Sequence, residues 1–187
     1  EGNADADLVT NFQADHDVIA LEGELAESTL SGNADVVVPA DFVPMVRTFG
    51  PIGTAMSLSD HEFGLVTSDV NARTWQSVSS EDIEDADAVA SLLNSVYNFG
   101  DRFANLEDPA SDAVNTTVFA VTASDDPDLT SIWAHTQCNA EDNTVEGLEL
   151  SLLAIVETDG EAFSEQNFAI EVDGSWQQPE ILQPVYE

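Results

Sequence analysis

The sequence predicts a mainly β fold, an antiparallel sandwich or single jelly roll carrying one inserted amphipathic helix at about 80–99. Three observations predict it. Short alternating or continuous apolar stretches recur along the chain, clusters of Asp, Asn, Gly and Pro separate them, and a single stretch repeats its apolar residues at helical spacing. An α+β domain with one sheet covered by the helix is the alternative. No repeat period divides the 187 residues, which suit one domain, 1–187, with extended Pro-containing segments at 39–53 and 176–187.

From the N-terminus, Asp7–Ala14 and Asp17–Leu25 alternate loosely, with Val18, Ala20 and Glu22 opposite Ile19, Leu21 and Gly23. Asp35–Val38 is a β-branched run that reads as a buried strand. Pro39, Pro44, Gly50, Pro51 and Gly53 then forbid a helix. They leave Phe42, Val43, Met45, Val46 and Phe49 on an extended segment, tucked under the domain or offered to a neighbour.

The helix has Ser79 or Ser80 as its cap, Glu81, Asp82, Glu84 and Asp85 in its first turn, and Gly100 beyond its end. Ile83, Ala86, Val89, Ala90, Leu93, Val96 and Tyr97 form its apolar stripe.

Strand chemistry returns in Asn115–Ser124, Ser131–Cys138, Val145–Glu157 and Phe168–Val172, for a total of seven or eight strands. Asp159-Gly160 and Asp173-Gly174 carry the chemistry of tight hairpin turns. Leu148, Leu150, Leu152 and Ala154 fall on one face of the longest of these segments, with Val145, Glu149, Leu153 and Ile155 on the other, as expected of a long central strand. The tail from Trp176 to Tyr186 holds Pro179 and Pro184 and is expected to run extended over the surface.

Charge is the largest departure from an ordinary domain. The chain has 37 Asp and Glu, three Arg (Arg47, Arg73 and Arg102), no Lys and a net charge of −34. A hydrophobic content of 43%, with three Trp and nine Phe, supplies a core, so the charge reads as an acidic coat rather than as disorder. Acids spread over a folded surface of this size stand roughly 15 Å apart and repel by about 0.3 kcal/mol per neighbouring pair in water. A Debye length of ~8 Å at physiological salt leaves part of that repulsion, and ~3 Å at molar salt removes nearly all of it. The absence of Lys fits the same setting, because its apolar stem adds surface hydrophobicity that concentrated salt penalises. The composition therefore points to an extreme halophile.

The same coat excludes function classes. Three cations cannot neutralise a run of phosphates, so direct nucleic-acid binding is not expected, and anionic membrane contact is disfavoured for the same reason. No apolar run reaches the ~20 residues of a spanning helix. The first residues, Glu1 to Asp5, lack the plan of a secretory signal, and Glu rather than Met at the first position is expected to reflect processing or the choice of first residue.

Motifs for chemistry are weak. Cys138 is the single cysteine, so it forms no intrachain disulfide, and His135 three residues upstream is expected on the opposite face of a strand. His16, His61 and His135 lie in different segments, and no Gly-x-Ser-x-Gly elbow supports a triad. Asp125, Asp126 and Asp128 share a turn and Asp60-His61-Glu62 offers mixed ligands, but neither has EF-hand or His-Glu-x-x-His spacing. Gly50-Pro51-Ile52-Gly53 lacks the Lys of a phosphate loop, and Asn115-Thr116-Thr117 is a glycosylation-type sequon. With so many acids, carboxylate pairs arise by chance on any face and identify no glycosidase-type site. No residue is singled out as catalytic, cofactor-binding or metal-binding; no cofactor is expected beyond loosely associated hydrated Na and K ions.

Val36-Val37-Val38-Pro39-Ala40-Asp41-Phe42-Val43-Pro44-Met45 and Pro179-Glu180-Ile181-Leu182-Gln183-Pro184 have the character of arms that bridge subunits. With the size, acidity and strand count, the chain resembles the small capsid proteins of halophilic archaeal icosahedral viruses with an internal membrane. That resemblance implies an upright single jelly roll in the virion, with itself and other capsid subunits as partners, assembling in high salt through barrel walls and arms. It implies no enzyme activity and no small-molecule substrate. Two alternatives stand beside it. One is a β-sandwich binding or surface module in the cytoplasm or at the cell surface of an extreme halophile, expected to expose an aromatic platform such as Trp75 or Trp176. The other is a small hydrolase or other enzyme with an unrecognised site, expected to hold a His or carboxylate of perturbed pKa in a pocket.

Overall fold

Twelve strands form among the residues that the computed structural model describes, which are 6–23, 25–26, 35–37, 56–57, 63–99, 116–136, 144–172, 174–178 and 180–182. In chain order they are β1 (Asp7–Phe12), β2 (Ile19–Leu21), β3 (Asp35–Val37), β4 (Met56–Ser57), β5 (Phe63–Val66), β6 (Tyr97–Asn98), β7 (Thr116–Thr122), β8 (Leu129–Thr136), β9 (Leu150–Thr158), β10 (Phe168–Val172), β11 (Ser175–Gln177) and β12 (Glu180–Leu182). Helices α1 (Ser68–Asn71) and α2 (Ala86–Val96) lie between β5 and β6, and single 3-10 turns, Gly147–Glu149 and Glu165–Asn167, precede β9 and β10.

Seven strands make one sheet in the order β1-β9-β8-β7-β5-β3-β12, three make a second, β11-β10-β2, and β4 pairs with β6. Side chains alternate across the main sheet, so each of its faces has its own core. Phe119, Val121 and Trp133 point to the face covered by α2, where Val89, Leu92, Leu93 and Val96 meet them. Val118, Ala120 and Ile132 point to the other face, against Leu21, Phe168 and Ile170 of the small sheet. Phe63 and Phe168 pack across that interface with ring centroids 4.9 Å apart.

The mainly β expectation holds, and strand direction corrects its finer part. A jelly roll is built from antiparallel neighbours. Here β7–β8 and β8–β9 are antiparallel, whereas β1–β9, β7–β5, β5–β3 and β3–β12 are parallel. The reason lies in the connections. A short turn after β7 returns the chain as β8, but β5 reaches β7 through a long crossover that carries both helices, and a crossover permits parallel pairing. The small sheet covers one face of the main sheet and α2 the other.

The helix begins later than its sequence suggests. Ser79 to Asp85 form successive turns, with Asp82 N–H donating to Ser79 O and Asp85 N–H to Asp82 O, and Ser80 N–H donates at 2.7 Å to the Asp125 carboxylate instead of opening a helix. Asp85 is the cap and accepts from the N–H groups of Asp87 and Ala88 at 2.9 and 3.2 Å. Tyr97 is already extended and starts β6.

A second correction concerns β9. Ala134 and Trp133 of β8 face Ser151 and Leu152, yet the next pair is Ile132 with Ala154. Leu153 is the extra residue of a bulge, so Leu152 joins the helix-side core and Ala154 the opposite one. β10 and β11 pair antiparallel with Val172 opposite Ser175 and Gly174 at a φ of +77°, where the sequence expects a tight hairpin; Asp173 lies outside the described residues. Asp159-Gly160 is not a hairpin; it carries the chain from the main sheet into the small one. The segment 39–53, with its Pro-stiffened apolar residues, lies outside the described residues, as do 179 and 183–187 of the tail.

Candidate binding groove

The chain passes between the two sheets twice in the same way. β1, a turn and β2 make one arch; β9, a longer turn and β10 make another. The two arches stack in parallel, Asp7 to Val9 beside Ala154 to Val156 in the main sheet and Ile19 to Leu21 beside Phe168 to Ile170 in the small one. The β1–β2 arch is the outer rung, so β1 and β2 are edge strands of their sheets, and nothing among the described residues pairs with their outer sides.

Local chemistry fixes this rung. In its turn, Gln13 O accepts from the N–H groups of His16 and Asp17, while the Asp17 carboxylate accepts from Gln13 N–H at 2.9 Å. Asn167, buried in the turn just before β10, donates through Nδ2 to Ala14 O and Asp17 O at 2.7 and 2.9 Å, and its Oδ1 accepts from Ser164 N–H. One neutral amide thus clamps the first arch to the second. Asn11 lies in the left-handed region at a φ of +58°, which Asn tolerates better than most residues, and the register of β1 on β9 shifts there. The kink turns Phe12 into the core, where its ring centroid is 5.7 Å from that of Phe163.

Between β1 and β2 the two layers do not close. A groove of roughly 700 Å³ opens there, floored by Phe12, Leu21, Ile132, Leu153 and Ala154, with Asp7, His16 and Asp17 on its polar margin. Val18, on its wall, is 45% exposed, and Leu8, on the other face of β1, is 64% exposed. A smaller hollow of roughly 280 Å³ shares His16 and is lined by Gln13, Asp15, Asp159 and Glu161. The walls offer apolar contact, and no strand among the described residues pairs with the outer edges of β1 and β2.

A second polar cluster lies on the helix side. His135 and Glu149 are buried, with Nε2 and Oε2 3.5 Å apart, and Glu149 also accepts from Glu146 N–H at 3.0 Å. The rings of Phe99 and Phe119 flank His135, and Thr117, opposite His135 in β7, has a buried hydroxyl without a hydrogen-bond partner among the described residues. Tyr97 donates to Leu65 O at 3.2 Å, and burial pushes its hydroxyl far above its ordinary range.

The residues weighed from sequence do not converge. His16 is exposed on the outer arch, paired at 2.8 Å with exposed Asp15, while His135 is in the other core. Asp125 and Asp126 are engaged by backbone N–H groups, of Ser80 and of Asp128, and Asp128 O accepts from Thr158 N–H, which makes this turn a structural knot. Asp60, His61, Glu62, Cys138 and Asn115 lie outside the described residues; Thr116 and Thr117 of the sequon are buried. Among the described residues no three His, Cys, Asp or Glu side chains come together as a metal site, and no helix is long and apolar enough to cross a membrane. Trp75 and Trp176 are 78% and 55% exposed. Sequence reasoning missed the groove, because its floor is assembled from β1, β2, β8 and β9.

No protein family, curated protein or solved structure matches the chain.

Proposed function

We propose that this chain is a non-enzymatic structural or surface module of a high-salt environment, working by association through its open β1–β2 end. One observation carries the reading. In a chain of net charge −34, two edge strands and an apolar groove lie open together, and Leu8 and Val18 are two of its exposed large apolar side chains. Unpaired edges and exposed apolar strips are the usual marks of an interaction surface. No cofactor, small-molecule substrate, nucleic acid or anionic membrane enters the reading.

A structural capsid protein located in the virion, associating with itself and other capsid subunits, is one form of this proposal. Size and acidity support it. The parallel strand pairs of the main sheet do not supply the barrel wall of that form, so association rests on the open end rather than on a jelly roll. A second reading, a binding or surface module acting in the cytoplasm or at the cell surface, is favoured by the exposed rings of Trp75 and Trp176.

Salt is the test. Subunits this acidic approach one another only when their charge is screened. On dilution from about 3 M KCl, native mass by light scattering is expected to fall before the circular dichroism of the fold changes. Loss of mass and fold at one salt step, or no association at any salt, overturns the proposal.

A further inference from the structure

We infer that two copies of the chain join through the β1–β2 end about a two-fold axis normal to the sheets, each outer arch covering the other's groove. This rests on the association reading above and names its partner.

The stacking of the arches supplies the first argument. The outer rung already repeats the pairing of the inner one in both layers, so whatever covers it must continue two sheets at once. A lone strand satisfies one edge and leaves the other open. A second copy satisfies both, because a two-fold axis normal to the sheets sets β1 antiparallel to β1 and β2 antiparallel to β2, and closes the two grooves against each other.

The second argument is the character of the edges. Exposed edges are normally blunted by Lys, by Pro or by charges facing the core. β1 reads Asp7-Leu8-Val9-Thr10-Asn11-Phe12 and β2 reads Ile19-Ala20-Leu21; neither contains Pro or a basic residue, and Asp7 is their one charge. A register centred on Val9 places Asp7 of one copy opposite Asn11 of the other, so no two acids of β1 face each other. The acidic coat opposes any close approach of two copies, and the two strands that would touch at this end carry one acid between them. Nine strand residues per copy is a small contact, so the pair is expected to depend on salt and on protein concentration.

Sedimentation equilibrium of the full chain in about 3 M KCl tests the pair. The wild-type chain is expected to dimerise, alone or as the unit of a larger assembly. Leu8→Asp and Val18→Asp alter exposed side chains, so the fold, checked by circular dichroism, is retained while the dissociation constant rises at least tenfold. Leu148→Asp, at a residue 77% exposed outside the groove lining, is the control and leaves it unchanged. Amide hydrogen exchange of residues 8–11 and 19–21 is expected to slow as protein concentration rises. If Leu8→Asp and Val18→Asp associate like the wild type, or exchange there ignores concentration, this pairing is wrong while association elsewhere stands. A wild-type chain that stays monomeric in all salt conditions sinks the association reading as well, and tight binding of a foreign peptide by that monomer would assign the groove to another partner.

Discussion

The two faces of the main sheet are closed by different means. On one face α2 lies over Phe119, Val121 and Trp133, its start held by the Asp85 cap and its last turn by Asn94, which donates to Val145 O at 2.8 Å and accepts from Val145 N–H at 2.9 Å. On the other face three short strands cover the centre, and between β1 and β2 the layers part. The helix adds an 11-residue amphipathic cover in one piece, whereas β2 spans three residues and leaves the groove beside it unfilled. Core formation and open surface therefore follow from the reach of the covering element, since apolar residues line both.

Both faces are fastened in the same unusual way. Where an ordinary domain ties loops with Lys and Arg, this chain uses Asn side chains, which donate and accept at once and carry no charge. Asn71 donates to Val78 O and Thr122 O and accepts from Val78 N–H, Asn94 clamps Val145, and Asn167 clamps the outer arch. Such bonds are insensitive to the salt that screens ion pairs.

The largest expected effect compares the closed face with the mouth. Trp133→Ala removes a fully buried ring whose Nε1 donates to Ser131 Oγ at 2.7 Å, and is expected to destabilise by about 4–5 kcal/mol. Phe12→Ala, beside the groove, is expected to cost about 3 kcal/mol, because water reaches the space left behind. Urea unfolding of both variants at about 3 M KCl measures the difference; equal losses would erase the distinction between the faces.

The clamps sharpen the same contrast. Asn71→Ala strands two carbonyls and one N–H in a buried site and is expected to cost about 3 kcal/mol. Asn167→Ala frees the carbonyls of Ala14, part-buried, and Asp17, exposed, which water can satisfy, for about 1–2 kcal/mol. Thermal melts of the pair rank them.

A smaller effect concerns pH. The folded-state pKa of Tyr97 is raised, so its contribution is complete below the unfolded value near 10 and is lost as pH rises above it, by about 1.4 kcal/mol per pH unit. Tyr97→Phe is expected to flatten that alkaline decline in melting temperature. The smallest change is expected at the mouth itself: Asn11→Gly relaxes a positive φ and should alter stability by less than about 1 kcal/mol, whereas Asn11→Val costs about 1–2 kcal/mol. Parallel unfolding curves for the two variants test whether the kink in β1 depends on that conformation.

Much of the local structure was legible. The apolar runs around Val9, Ile19, Val36, Phe119, Trp133, Leu152 and Ala169 all became strands, the stripe from Ala86 to Val96 became the helix, and β10 and β11 pair antiparallel on either side of Gly174. Phe63–Val66 went unread because four residues containing Gly64 are too few to show a period; the glycine is there because Phe119 lies against it, 2.5 Å from where a Cβ would stand. The bulge at Leu153 and the kink at Asn11 escaped notice because each breaks the alternation that reveals a strand.

The sequence by itself determined which side chains are apolar, where the turns fall, and that the surface is acidic, because these depend on residue type and on neighbours a few positions away. Tertiary structure alone decided that β1 lies parallel to β9, that β2 lies parallel to β10, and that a groove opens between them. An alternating strand looks the same whichever way its partner runs, and Asp7 meets Ala154 only after the intervening chain has folded between them.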